Sequence, residues 1–464
     1  MLLPLLLVIG ALCVPAIARA GGDKICDVCV DDAITDTASS PGYVATARRL
    51  VFPGYHRNAV FVGKDHHVRF ANFDAAGWSI EVVDPAARAG GLAMDFDDLQ
   101  RPIACYHDSV GSVLFARRLA AGSWAIQMVA PLIGATGATS MAHIPGVTGI
   151  AFMVPNVDEL FYAEQSNDGP WMIQPVAPLA PGSGDPSLLI DGPTRAISFR
   201  DGLQGVLRLA TTSLGQPWTT QLVDASVAVG GSSSLIGHAG DYGIAYYDAL
   251  NADLRYARSV PGGWAIDVVD GSGRRVGRSC AAVLLGSGPS DLVGIAYYDQ
   301  SFGDLDYAAM PGPAWLHTWI DSQGDVGNTL SAGVGSFGAA DTVSIVYTNR
   351  PAGDLLYLER AAAVVSVAPS AGPGELRASW NRDAAAAGGR VRFRMPASGE
   401  ASVTILDPQG RRVAEPLHRV LAAGPAEVSW DGRDADGRRV GAGVYFARVV
   451  VPGAAAGLRG VILH

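Results

Sequence analysis

The stretch Ile244 to Asp270, IAYYDALNADLRYARSVPGGWAIDVVD, decides how the first 360 residues are read, because most of them repeat it imperfectly. Turn-forming residues at Asp248 to Asp253 and at Pro261 to Gly263 bound short runs rich in Ile, Tyr, Val and Trp, which read as strands. The next copy, Ile295 to Asp321, is IAYYDQSFGDLDYAAMPGPAWLHTWID. Self-similarity on this scale is the mark of a repeat architecture.

Working outward, tryptophans recur at Trp78, Trp124, Trp171, Trp218, Trp264 and Trp315, at intervals of 46, 47, 47, 46 and 51 residues. Before each lies an alanine (Ala71, Ala116, Ala163, Ala210, Ala257, Ala308) closing a strand of the form L-x-Y-A. Six residues after each Trp comes Asp84, Ala130, Ala177, Asp224, Asp270 or Asp321, usually preceded by valine. An earlier strand begins near Val60, Ile103, Ile150, Ile197, Ile244, Ile295 and Ile345, which makes seven copies. The gap between copies leaves room for one more strand, such as Cys280 to Leu285. The seventh copy runs through Asp354-Leu355-Leu356-Tyr357 and has no Trp after it. Ile25 to Asp31 lines up with Trp264 to Asp270 and is expected to supply its missing strand; Val364 to Val367 is the competing closure. Four strands in each of seven copies predict an all-β seven-bladed β-propeller.

Composition narrows the function. The net charge of -10 and pI near 5.3, with no basic cluster, argue against nucleic acid as a partner. MLLPLLLVIGALCVPAIARA, residues 1–20, ends in Ala18-Arg19-Ala20 and reads as a secretory signal peptide. Beyond it no apolar run reaches 18 residues, so no integral membrane segment is expected after cleavage. Cys26, Cys29, Cys105 and Cys280 are too few to staple a chain of this length, so packing must supply the core.

The blades Tyr246-Tyr247-Asp248 to Ala257 and Tyr297-Tyr298-Asp299 to Ala308 carry Y-Y-D-x-x-x-x-D-L-x-Y-A. The motif resembles families of secreted bacterial β-propellers over about residues 25 to 360. It is also broadly similar to propeller lectins with repeats of this length and, more distantly, to sialidases.

After residues 21–360, composition shifts to small residues and proline over 361–375, a linker. In 376–464, Val391 to Met395, Ala401 to Leu406, Ala426 to Trp430, Val444 to Val450 and Val461 to Leu463 read as strands of a β-sandwich. VSWDGRDADGRRVGAGVYF, Val428 to Phe446, resembles the Ig-like domain of the flagellar hook-capping (FlgD-like) type and is similar to type IX secretion sorting domains. That resemblance implies a sorting, surface-anchoring or stalk module. Asp434-Ala-Asp-Gly437 lacks the third aspartate and the terminal glutamate of a calcium loop, and Asp436-Gly437 reads as a turn.

Few residues offer chemistry. Cys26-x-x-Cys29 suggests redox or metal work, but in a closing strand positions three apart point to opposite faces. No histidine spacing suits a metal. Glu81, Glu159, Glu164 and Glu359 read as scattered over different repeat positions, giving no carboxylate pair for glycoside hydrolysis. Arg195 and Arg278 could enter a sialidase-like site, although the sequence does not place them on one face. No catalytic residue, metal site or cofactor is expected. The ligand candidates are Tyr247, Asp248 and Trp264 with their counterparts Tyr298, Asp299 and Trp315, since aromatic faces beside carboxylates suit sugars. The reading is therefore an exported, non-enzymatic binding or surface protein whose partner is a glycan or a surface protein. The alternatives are a propeller glycosidase and a structural or protein-interaction platform.

Overall fold

The computed structural model describes residues 23–26, 44–45 and, apart from short breaks, 57–361, 376 and 378–462. The signal-peptide reading, Cys29 and the linker reading of 362–375 lie outside the described residues; Ala361, assigned to the linker, instead ends a strand. Among the described residues no helix is long and apolar enough to cross a membrane.

Seven four-stranded antiparallel sheets succeed one another along the chain. They span 44–84, 90–130, 139–178, 184–224, 229–270, 276–321 and 326–361, the last joined by Asp23–Cys26. We number them blades 1 to 7. The first strand of each blade touches the first strand of the next, and that of blade 7 touches that of blade 1, so the ring closes. The fold is an all-β propeller followed by an Ig-like sandwich.

Each strand's burial follows its place in the blade. The second strands, such as Val147–Val154, are buried almost throughout, which is why they read as unbroken apolar runs. The fourth strands, such as Ser123–Ala130 and Gly263–Asp270, are largely solvent-facing except for their last two residues, both buried. A bulge opposite the Leu of L-x-Y-A causes this, recurring as Val68/Arg69, Val113/Leu114, Leu160/Phe161, Leu207/Arg208, Leu254/Arg255 and Leu305/Asp306. The extra residue breaks the alternation and turns the terminal Val-Asp pair inward.

Register refines the repeat. Ala257 faces Ile244, Ala163 faces Ile150 and Ala308 faces Ile295, as the alignment requires. In blades 1 and 2, however, the equivalent partners are Ala59 and Ala104, one residue away from the expected Val60 and Ile103. Ring closure is also corrected. The N-terminal strand does pair with blade 7, but Cys26 faces Leu355 across a bulge, the place that Asp270 takes opposite Leu254. Asp31 had been expected there.

The blades pack through aromatics. Five of the six Trp lean edge-on against the L-x-Y-A aromatic of the preceding blade: Trp78 on Tyr357 at 5.3 Å, Trp124 on Phe70 at 5.5 Å, Trp171 on Phe115 at 5.4 Å, Trp218 on Tyr162 at 5.5 Å and Trp315 on Tyr256 at 5.4 Å. In blade 4 that position is Leu209, and Trp264 packs on its aliphatic cluster instead. The aromatic pairs add about 0.5–1.5 kcal/mol each beyond area burial. Glycine precedes Ile150, Ile244 and Ile295 because the hydroxyl of Tyr162, Tyr256 or Tyr307 occupies the space a Cβ would need.

At the opposite end of the sheets the inward-turned aspartates act. Tyr106 donates to Asp84 at 2.8 Å, Tyr246 to Asp224 at 2.7 Å, Tyr297 to Asp270 at 2.8 Å and Tyr347 to Asp321 at 2.7 Å, always from one blade to the one before. Where the terminal residue is Ala130, Ala177 or Cys26, the facing position is Phe152, Phe199 or Phe61. A phenol is present only where an acid can accept from it.

The C-terminal module pairs a three-stranded sheet (Ala378–Asp383, Gly388–Met395, Gly424–Trp430) with a four-stranded one (Arg412–Leu421, Gly399–Leu406, Gly443–Val451, Ala454–Ile462). Val391, Phe393, Val403, Ile405, Trp430 and Val449 fill its core. Two strands escape the sequence reading: Ala378–Asp383 and Arg412–Leu421, the latter broken by Pro416 and several charges.

Candidate functional site

The six sequence candidates do not share one surface. Asp248 and Asp299 close their turns from buried positions. Asp248 accepts from Leu250 N, Asn251 N and Asn251 Nδ2, and it pairs with Arg255 at 2.6 Å. Asp299 accepts from Ser301 N at 2.8 Å and from Arg274 Nη1 at 2.8 Å. Tyr298 is buried and donates to Asp325 at 2.6 Å. Tyr247 is half-buried, and burial pushes its hydroxyl above the usual range. Trp264 and Trp315 lie at the far end of the sheet, against the apolar clusters between blades 4 and 5 and between blades 5 and 6. Tyr247 faces Leu254 while Trp264 faces Ser259, five residues or about 17 Å of strand away.

At this Trp end a different constellation forms, which the sequence reading missed. Glu164 and Glu359 occupy the same repeat position, directly after Ala163 and Leu358, so the scatter assigned to the glutamates is corrected for these two. The residue two before the second-strand anchor of the next blade is Arg195 or Arg57. Between blades 3 and 4, Arg195 Nε donates to Glu164 Oε2 at 2.7 Å, as does Tyr162 OH at 2.7 Å, and Arg195 Nη1 donates to the Gly192 carbonyl at 2.8 Å. Between blades 7 and 1, Arg57 Nε donates to Glu359 Oε2 at 3.0 Å and Tyr357 OH to Oε1 at 3.1 Å, with the guanidinium 4.9 Å from the Phe73 ring. The signal was a Tyr-x-Glu paired with an Arg in the following blade, visible only once register is known.

The junction of blades 3 and 4 is open. A groove of about 530 Å³ is lined by Glu164, Met172, Ile173, Gln174, Arg195 and the Thr212–Pro217 loop. Burial by itself would raise the Glu164 carboxyl, but hydrogen bonds from Arg195 and Tyr162 outweigh it and hold the group below the ordinary carboxylate value of 4.5. Glu164 is therefore a fixed anion beside a fixed cation. Around the ring, Trp124 Nε1 donates to Glu81 at 2.9 Å and Trp171 Nε1 to Gln127 at 3.3 Å. Gln174 holds the corresponding place, yet it is exposed in the groove, and Trp218 Nε1 is buried with no acceptor. The groove thus offers a partly exposed carboxylate backed by a buried guanidinium, together with the Gln174 amide and the apolar Met172 and Ile173, a mixture suited to a polyhydroxylated ligand.

Arg195 and Arg278 do not converge. Arg278 lies on the first strand of blade 6, where its carbonyl accepts from Ser232 Oγ at 2.6 Å. Among the described residues no group of three or more His, Cys, Asp or Glu is arranged to hold a metal ion. Cys105 and Cys280 are unpaired, and burial pushes the Cys105 thiol up to about 12, so it is inert.

Residues 378–453 match the FlgD Ig-like domain. No curated protein sequence matches the chain. Similar solved structures include AofleA from Arthrobotrys oligospora, 12% identical, over 85% of this chain and 99% of that one, TM-score 0.44. Another is the Aleuria aurantia lectin, described as a six-bladed propeller with a novel fucose recognition mode, 14% identical over 56% and 86%, TM-score 0.41. A third is the Trypanosoma rangeli sialidase, in complex with the inhibitor DANA, 9% identical over 84% and 87%, TM-score 0.40.

Proposed function

We propose that this chain is an exported, non-enzymatic glycan-binding propeller whose FlgD-like module serves as a sorting, anchoring or stalk domain. The observation that carries the reading is the Tyr162–Glu164–Arg195 triad, fixed at the wall of an open groove of about 530 Å³. A carboxylate oriented by a buried guanidinium and a phenol presents a fixed acceptor to vicinal hydroxyls without the entropy of ordering a long side chain. Met172 and Ile173 give the apolar wall that a sugar ring's C–H face requires.

Hydrolysis fits less well. A glycosidase needs one carboxyl kept protonated near neutrality, and Glu164 is shifted the other way. Of the six sequence candidates, we assign Asp248, Tyr298, Asp299, Trp264 and Trp315 to holding the junctions. Tyr247 alone keeps a half-buried ring free for a secondary contact.

The test is a glycan-array screen of the full mature chain beside Glu164→Gln and Arg195→Ala. Saturable binding lost in variants with unchanged circular dichroism supports the reading. Binding that survives both variants but fails in Tyr247→Ala moves the site to the opposite end. Silence on every glycan leaves a protein-interaction or structural platform.

A further inference from the structure

The neighbouring junction, between blades 2 and 3, holds a smaller groove of about 250 Å³ at the quasi-equivalent place, with reversed polarity. Arg117 takes the position of Glu164, since each directly follows the L-x-Y-A alanine. Thr148 takes that of Arg195. Arg117 Nη2 donates to Asp168 of the next blade at 2.6 Å, and Nε lies 3.3 Å from Asp97. Arg101 also pairs with Asp97, at 2.7 Å. Across the groove, His143 Nε2 and Asp98 Oδ1 are 3.1 Å apart, while Nδ1 is 2.9 Å from Thr148 Oγ1.

Two features point to a ligand. Gln165 lines the groove with only 4% of its surface exposed; its amide nitrogen is used by Gln127 and Gly169, yet its Oε1 is buried with no donor. A buried amide oxygen left bare costs about 1–3 kcal/mol, which a ligand donor would recover. The lining carries three carboxylates, Asp97, Asp98 and Asp168, against two guanidiniums, Arg101 and Arg117, with His143 beside them. Asp98 and Asp168 are the exposed ones, at 50% and 63% of their side chains. The groove therefore has a surplus of acceptors at both depth and rim.

We propose that this groove is a second, distinct binding site that takes an amino sugar, a saccharide unit with a free protonated amine. One donor of the ligand meets Gln165 Oε1 and the amine faces Asp168 and Asp98 at the rim. The proposal deepens the glycan-binding reading but rests on different residues, so each can fail alone. Side by side, the two grooves would read a neutral and a cationic unit of one glycan.

The experiment is calorimetric titration of the full chain with glucosamine, N-acetylglucosamine and glucose at about pH 6, where an amine of this kind is protonated. Glucosamine binds and the other two bind at least about tenfold more weakly, because they lack the charge. Gln165→Leu and Asp168→Asn each weaken glucosamine by about tenfold, while Glu164→Gln leaves it unchanged. Equal affinity for all three sugars, binding that ignores both variants, or no heat with glucosamine each overturns the proposal. Should Gln165→Leu fail to fold, the exposed Asp168→Asn decides. Loss of glucosamine binding in Glu164→Gln would place it in the other groove and refute a second site.

Discussion

The junction between blades 5 and 6 and the junction between blades 3 and 4 solve the same problem in opposite ways. In the first, Tyr297 donates to Asp270 while Arg274 bridges Asp270 and Asp299, with Asp306 at 3.6 Å. All of these groups are buried. In the second, Phe199 sits where the tyrosine would be and Ala177 where the acid would be, so that end is sealed by apolar contact. Its ionic groups, Glu164 and Arg195, stand instead at the Trp end, on an open groove. The division extends around the ring. The three junctions closed by Phe61, Phe152 and Phe199 are those with an ion pair at that repeat position, through Glu359, Arg117 and Glu164. The junction of blades 1 and 2 carries a tyrosine–aspartate seal together with a Glu81–Arg118 pair placed differently. Polar groups consumed in a seal have nothing left for a ligand, whereas those set at a groove do.

The greatest damage is expected from breaking the sealed junction. Arg274→Leu strands Asp270, Asp299 and Asp306 without their cation. Leaving buried charge uncompensated costs about 3–5 kcal/mol. Urea unfolding followed by tryptophan fluorescence should show the loss in the propeller transition, and a change below about 1 kcal/mol would mean that the cluster is hydrated and the seal is not a seal.

A smaller effect separates the two kinds of junction more sharply. Tyr246→Phe leaves Asp224 short of one donor and is expected to cost about 1–3 kcal/mol. At the open junction the reverse change, Phe199→Tyr, buries a hydroxyl opposite Ala177 and should cost a similar amount, about 1–3 kcal/mol. Adding Ala177→Asp to Phe199→Tyr supplies the acceptor. The double-mutant cycle should then return a favourable coupling of about 1 kcal/mol or more. A coupling near zero would show that the pairing of Asp with Tyr and of Ala with Phe is coincidence.

How far the sequence anticipates this depends on what each signal encodes. The Trp spacing and the Val-Asp strand endings report blade count and architecture because they mark places where a large ring or a bulge is sterically required. Register is harder to read. Within Asn58–Val62 and Pro102–His107, residues 59–62 and 102–106 are continuous and buried on both faces, so no alternation says which residue faces which, and the anchors shift by one. The Asp23–Cys26 strand has no Trp to fix it and shifts by five relative to the alignment with Asp31. The groove depends on that register, since Tyr162, Glu164 and Arg195 come together only across two blades. Asp248 and Asp299 looked available because a repeated carboxylate beside aromatics suits a sugar; Arg255 and Arg274, which occupy them, come from different places in their repeats.

The mildest test of the open junction uses acid. Glu164 is held below its ordinary value of 4.5, so whatever its charge contributes is fully present above that value and is lost as pH falls through the depressed folded value. Glycan binding at the groove should therefore be flat from neutrality down to about pH 5 and should weaken only below that. Arg195→Lys sharpens the point, because a single ammonium cannot reproduce the fork at Glu164 and Gly192. The weakening should then begin at higher pH, as the carboxyl returns toward its ordinary value. A binding curve that instead falls between pH 7 and 6 in the parent chain would point to a histidine. Such a fall would remove Glu164 as the group whose charge carries binding, since a carboxyl held below 4.5 stays ionised throughout that interval.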